Sequence, residues 1–201
     1  MKHKDVGAII VCYNTPELII RAVESIMEHV FYVYIVDYSD KGSECYEVCE
    51  ELSDDNINVF DIQVKGNLGH GPGLNIGANI CQSKYLIAMD SDAELLDPSL
   101  IDEMKAALEP DDVFGSGRVL TVQKNLPYLY MPFCMFKRDL FMASPRFIHD
   151  GAPFIEVMKW AKGKYKLVQI PDFDKKILHE GRATRKIAGH WRKGFGGRDG
   201  V

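Results

Sequence analysis

The sequence predicts an α/β fold whose central, mostly parallel sheet is flanked by helices. Three features predict it. Short β-branched runs contain no polar break, as strands buried on both faces do. Segments with apolar residues at helical spacing alternate with those runs. Polar residues gather just after the runs, where open parallel sheets bind ligands.

The elements follow in order. Val6 to Val11 (VGAIIV) reads as a buried strand. Asn14-Thr15-Pro16-Glu17 breaks it and starts a helix, with Thr15 as cap, Pro16 at the first helical position, and a stripe of Leu18, Ile19, Ala22, Val23 and Ile26. Phe31 to Val36 is a second buried strand that ends in Asp37. Glu44 to Leu52 reads as a helix and Ile57 to Val64 as a strand. A glycine-dense turn, Gly66 to Gly73, precedes a helix expected from Leu74 to Cys81. The strand Tyr85 to Met89 runs into Asp90, and Pro98 to Leu108 is a helix that Asp97 can cap.

After Glu109-Pro110-Asp111-Asp112 the pattern loosens. Short strands are expected at Val119–Val122, Leu129–Phe136 and Leu167–Ile170, with a helix at Phe154–Lys162. The chain therefore reads as a single domain over 1–201, with halves 1–109 and 110–175 and a basic, mobile tail 176–201.

Of the 201 residues 46% are hydrophobic, enough for a real core. A net charge of -5 argues against coating nucleic acid by bulk electrostatics. The sequence has no run of 18 apolar residues and opens directly on a strand, so neither a spanning helix nor a signal peptide is expected. Five scattered cysteines (Cys12, Cys45, Cys49, Cys81, Cys134) suggest a reduced, cytoplasmic protein. Cys45 and Cys49 share a helix face. They read as small buried hydrophobes rather than a metal pair, since no further ligands stand at zinc-site spacing.

Asp90-Ser91-Asp92 is the most informative triplet. Two aspartates at the end of a buried strand can aim oxygens at one hard divalent cation, which grips a diphosphate. A solvated turn with a helix cap is the plainer reading. The stretch Asn67-Leu68-Gly69-His70-Gly71-Pro72-Gly73-Leu74-Asn75-Ile76-Gly77 allows close backbone approach to a ligand, yet it is neither a dinucleotide fingerprint nor a P-loop.

These pieces together resemble glycosyltransferase family 2, of GT-A fold: VCYNTPE after the first strand, IVDYSD after the second, NLGHGPGLNIGAN, then YLIAMDSDAEL. The match covers about the first 105 residues. The resemblance implies a GT-A nucleotide-diphospho-sugar transferase fold with a Rossmann-like first half. Tyr13 would lie against the base with Asn14 beside it, and Asp37 would hydrogen-bond that base. Asn67, Gly69, Gly71, Asn75 and Ser91 would line the donor. Asp90 would reach the ribose and lie at the metal, and Asp92 would bind Mn2+ or Mg2+. Tyr38, where the family usually has Asp or Asn, is a departure, as are His70 and Leu74 in the loop.

In the second half, the family's acidic base has its best counterpart in Asp150, with Glu156 as runner-up, and a turn or cap residue is the alternative for Asp150. His149 could orient Asp150. His179 stands where relatives often place a metal- or diphosphate-contacting histidine, and Arg182 and Arg185 could neutralise phosphate charge. The resemblance thus implies a metal-dependent inverting transfer from a nucleotide-diphosphate sugar, a UDP-sugar first, to an acceptor hydroxyl. A non-catalytic nucleotide-sugar-binding protein and a sugar nucleotidyltransferase are the rivals, and the turn CYNTPE lacks the basic glycine loop the latter needs. The acceptor is left open among glycan, lipid-linked, protein and nucleic-acid polymers. The basic tail, with Trp191 and Phe195 interleaved, is compatible with peripheral membrane contact, and the short chain with a homo-oligomer.

Overall fold

In the computed structural model, residues 2–122, 125–148 and 152–181 are described. The elements are β1 (His3–Cys12), α1 (Pro16–Ile26), β2 (Val30–Asp37), α2 (Glu44–Asp55), β3 (Val59–Gln63), α3 (His70–Ile80), β4 (Tyr85–Asp90), β5 (Ala93–Leu95), α4 (Ser99–Ala107), β6 (Val113–Val122), β7 (Leu126–Lys137), α5 (Arg138–Met142), α6 (Ile155–Ala161), β8 (Lys166–Gln169), α7 (Phe173–Lys176) and β9 (Ile177–His179).

Seven strands form one sheet in the order β3-β2-β1-β4-β7-β6-β8, and β5 pairs with β9 in a small second sheet. Strands β1 to β4 run parallel, β7 lies antiparallel to both β4 and β6, and β8 is parallel to β6. Two apolar layers sandwich the sheet. Ala8, Ile10, Val33, Ile35, Ile87 and Met89 meet α1, α2 and α4 on one face. Ile9, Tyr34, Val36, Leu86, Ala88 and Phe136 meet α3, α5 and α6 on the other. Burial on both faces is why the central strands read as unbroken apolar runs.

Several boundaries differ from expectation, each for a physical reason. Helix α3 starts at His70, four residues before Leu74, because packing against the sheet overrides the poor helix propensity of Gly71 and Gly73. A Cβ on Gly73 would stand 2.9 Å from Val11, and one on Gly77 would stand 2.4 Å from Ile9. These two glycines serve the close seating of α3 on β1. The third strand shortens to Val59–Gln63, leaving Ile57 96% exposed.

The second half is more regular than its sequence suggests, with β6 and β7 forming a long hairpin within the same sheet. Pro132 interrupts β7 where neither ladder needs its missing N–H. The β4 pairing stops at Met89↔Phe133, and the β6 pairing shifts between Gly117 and Val119, across the stretch from Cys134 to Leu129. Thr15 does not cap α1 with its side chain, although Pro16 stands at the helix start as expected. Asp97 Oδ1 accepts the Ser99 amide at 2.9 Å, holding the first turn of α4. The tail begins as structure, with Ile177–His179 forming β9, and residues 182–201, including Arg182 and Arg185, lie outside the described residues. Among the described residues, no helix is long and apolar enough to cross a membrane.

Candidate functional site

Two carboxylates and an imidazole meet at the carboxyl edge of the parallel strands. Asp90 ends β4, Ser91 forms the turn, and Asp92 leads into β5. Pairing of β5 with β9 sets Ala93 opposite His179, and the Glu180 amide donates to the Asp92 carbonyl at 3.1 Å. His179 Nε2 is then 3.2 Å from Asp92 Oδ1 and 3.7 Å from Asp90 Oδ2. Nδ1 of the same ring lies 2.7 Å from the Tyr130 hydroxyl on β7. From the other side His70, at the start of α3, places Nε2 3.5 Å from Asp90 Oδ1.

Burial pushes the Asp90 carboxyl up and nearby Asp92 adds to this, while His70 and His179 act against it. The hydrogen bond to Asp92 raises His179 above its usual value, more than burial lowers it. One ligand atom from each of Asp90, Asp92 and His179 lies within 4.8 Å of the others. Two carboxylate oxygens and one imidazole nitrogen suit Mn2+ or Mg2+, the nitrogen favouring Mn2+. When Nδ1–H donates to Tyr130, Nε2 carries the lone pair a metal needs. The residues present fit the cation.

The β1–α1 turn stands beside this cluster. Asn14 has a left-handed backbone (φ 53°), and its amide donates to Ser39 Oγ at 3.0 Å. Thr15 Oγ1 donates to Ser91 Oγ at 3.3 Å and so joins the Tyr13-Asn14 turn to the aspartate turn. Tyr13 is half-buried and Ser91 is buried. A cleft of about 770 Å3 opens next to the aspartates rather than over them, lined by Asn14, Pro16, Arg21, Ser43 and Glu180 among others.

The chain matches the model of glycosyl transferase family 2 over residues 8–154. The chain belongs to glycosyltransferase family 2. An uncharacterized glycosyltransferase of Haemophilus influenzae is 29% identical over 131 residues, 62% of this chain and 40% of that one, so the chain spans well under half of that relative. Among solved structures, a mannosyltransferase from Pyrobaculum calidifontis in complex with GDP-Man and Mn2+ is similar at TM-score 0.70 and 16% identity, over 85% of this chain and 56% of that one. Glucosyl-3-phosphoglycerate synthase from Mycobacterium tuberculosis, in complex with UDP, is similar at TM-score 0.62 and 11% identity, over 83% and 70%. TarS from S. aureus is similar at TM-score 0.60 and 16% identity, over 84% and 58%. The fold is the GT-A type of these glycosyltransferases.

Five further residues expected at the donor, Asp37, Asn67, Gly69, Gly71 and Asn75, are engaged within the protein. Asp37 is wholly buried, and its Oδ1 accepts the amide and hydroxyl of Ser39 at 2.9 and 2.6 Å. Register explains the burial. Cys12 pairs with Asp37 and Val11 with Asp90, and successive strand residues face opposite sides, so Asp37 points into the α1/α2 layer and Asp90 toward α3. Asn75 spends both ends of its amide on Phe147, donating to its carbonyl at 2.7 Å and accepting its amide at 3.1 Å. Gly71 sits buried in the first turn of α3. Asn67 Oδ1 accepts the Gly69 amide at 2.9 Å, and Gly69 precedes α3 at φ 99°, a conformation that favours glycine.

Asp150 and His149 lie outside the described residues, and Glu156 is paired along α6 with Lys159 at 2.7 Å. Sequence reasoning missed Tyr130 and the His70–Asp90 contact. Tyr130 carries no local signal, since only the sheet order brings β7 beside β4, and His70 reaches Asp90 only because α3 packs on β1 and β2.

Proposed function

We propose that this chain is the donor-binding and catalytic part of a metal-dependent, inverting glycosyltransferase that uses a nucleoside-diphosphate sugar, a UDP-sugar first. The convergence of Asp90, Asp92 and a Tyr130-oriented His179 at the sheet's carboxyl edge carries the reading. Two of the similar structures were solved with a nucleotide or nucleotide sugar, one of them with Mn2+, which supports it. Asp90, Asp92 and His179 would hold Mn2+ or Mg2+, which supplies charge neutralisation at the diphosphate. The Tyr13-Asn14 turn takes the nucleoside, and Ser91 keeps that turn in register with the aspartates through Thr15. Asp37, buried at the end of β2, holds Ser39, whose Oγ in turn accepts the Asn14 amide of that turn.

Asp150 is the base in this proposal. Asn75 fixes Phe147, three residues ahead of it in sequence, to the helix whose first residue touches Asp90. The acceptor hydroxyl oxygen bonds to the anomeric carbon from the face opposite the diphosphate, and its proton passes to Asp150. The bond from carbon to diphosphate oxygen breaks, and its electron pair leaves with the nucleoside diphosphate. One displacement of this kind inverts the anomeric centre.

The test is calorimetric binding of UDP, GDP, CDP and ADP, each with Mn2+ and with a chelator, to wild type and Asp92→Asn. Metal-dependent binding of one diphosphate, lost in Asp92→Asn, is expected. Binding that ignores both the metal and the substitution would remove the acidic centre from the reading. With a donor identified, Asp150→Asn is expected to keep that binding and lose transfer.

A further inference from the structure

A second cluster of ligand-type side chains lies on the other face of the sheet, and the acidic centre does not use it. Cys12 ends β1, Asp37 ends β2 directly beside it, and Cys45 and Cys49 occupy one face of α2. One ligand atom from each lies within 4.8 Å of the other three. Cys12, Cys49 and Asp37 are 0% exposed and Cys45 is 2% exposed. The sequence hides the set, because its members come from three elements and only the Cys45–Cys49 spacing is local.

We propose that Cys12, Cys45, Cys49 and Asp37 form a buried structural site for a thiophilic divalent cation, zinc being the one that fits. Three sulfurs and one carboxylate oxygen are all ligand types that zinc takes, and four is its usual ligand count. Cys12 and Cys45 hold their sulfurs 3.2 Å apart. That is well beyond a disulfide bond of about 2.0 Å. It falls short of the roughly 3.8 Å edge of a tetrahedron with zinc–sulfur bonds of about 2.3 Å, so modest side-chain rotation seats the ion.

The second observation is Asp37 itself. Oδ1 is taken by Ser39, whereas Oδ2 is buried without a hydrogen-bond partner. A carboxylate oxygen left bare in a protein interior is costly unless something cationic meets it. The surroundings of Cys45 also suit a thiolate. The Thr15 amide donates to Cys45 Sγ at 3.3 Å, and Cys45 lies in the first turn of α2, where the helix dipole favours negative charge. The ion would tie the ends of β1 and β2 to α2, directly under the Tyr13-Asn14 turn.

The test begins with the full chain purified under reducing conditions without chelator. Elemental analysis is expected to give about one zinc per chain, as a closed structural site requires. Cobalt added to metal-free, folded wild type is expected to produce thiolate-to-cobalt charge-transfer absorption and the visible bands of a tetrahedral ion. Cys45→Ser and Cys49→Ser are expected to lose both signals, and Asp92→Asn is expected to keep them, which separates this site from the acidic centre. Wild type that is folded, fully reduced, free of zinc and silent toward cobalt would overturn the proposal. So would a Cys12–Cys45 disulfide located by peptide mapping of protein isolated without reductant, which would make the two a redox pair instead. The cobalt spectrum is read on wild type, so failure of a serine variant to fold leaves the test standing.

Discussion

Asp90 and Asp92 bring two carboxyl groups to one strand end, and His179 is the group that decides how they behave without a cation. The Asp92 hydrogen bond raises the pKa of His179, so in metal-free protein the imidazolium persists above the ordinary value of 6.5. Because the folded value lies above the unfolded one, the pair's stabilisation is fully present below about pH 6.5 and disappears as pH rises through the folded value. Denaturant unfolding of the metal-free protein should show that loss on the alkaline side, and His179→Gln should flatten it. NMR titration of the His179 ring gives the raised value directly, and a midpoint at or below the ordinary one would contradict it. Tyr130 acts on the same ring through Nδ1. If His179 takes a metal, Tyr130→Phe should weaken Mn2+ about 10- to 100-fold without removing a ligand, measurable by the EPR signal of free Mn2+. His179 was singled out in the sequence only through the family resemblance, and Tyr130 was not, being one aromatic among several in a strand of aromatics.

At the scale of elements, α3 shows what a sequence can and cannot convey. Its glycines invited the reading of a loop that approaches a ligand, and the structure makes Gly73 and Gly77 the contact that lets a helix lie on β1. Both readings predict glycine at these positions, so composition cannot separate them. Gly77→Ala separates them, since the added methyl would stand 2.4 Å from Ile9 Cγ2. It should destabilise the fold by about 1–3 kcal/mol in urea unfolding, with partial recovery in combination with Ile9→Ala. Unchanged stability would mean that α3 can shift without penalty. Asn75→Ala removes two hydrogen bonds to Phe147 and should cost about 1–3 kcal/mol. By contrast, β2 and β4 were legible almost to the residue, and β1 from Val6 onward, because burial on both faces demands apolar side chains; the start of β1 at His3-Lys4-Asp5 is polar and was missed. Strands β6 and β7 showed only as fragments, since Pro127, Pro132 and a bulge break the pattern the eye follows.

For the whole molecule, the informative fact is that the acidic centre is closed by the last described strand. The sheet half that carries Asp90 and Asp92 is built by residue 95, yet His179 arrives only when β9 returns to pair with β5. This contact spans more than eighty residues, from Ala93 to His179, and no local pattern announces it. The return is held at two further points. The amides of Leu96 and Asp97 donate to the Lys176 carbonyl at 2.8 and 3.2 Å, and Arg21 on α1 bridges Glu94 and Glu180. The large sheet does not depend on β9, which lies outside it, so the site and the fold should come apart on truncation. A chain ended after Ile177 should keep its circular dichroism and cooperative unfolding while losing most of its Mn2+ affinity. A chain ended after Gly181, which retains β9 and removes only residues 182–201, should hold Mn2+ like the full chain. If both truncations bind Mn2+ equally, His179 is no ligand and the two aspartates act alone. If only the longer one binds, the cation joins the first half of the chain to its last strand, and metal binding should raise the melting temperature of the longer chain but not of the shorter.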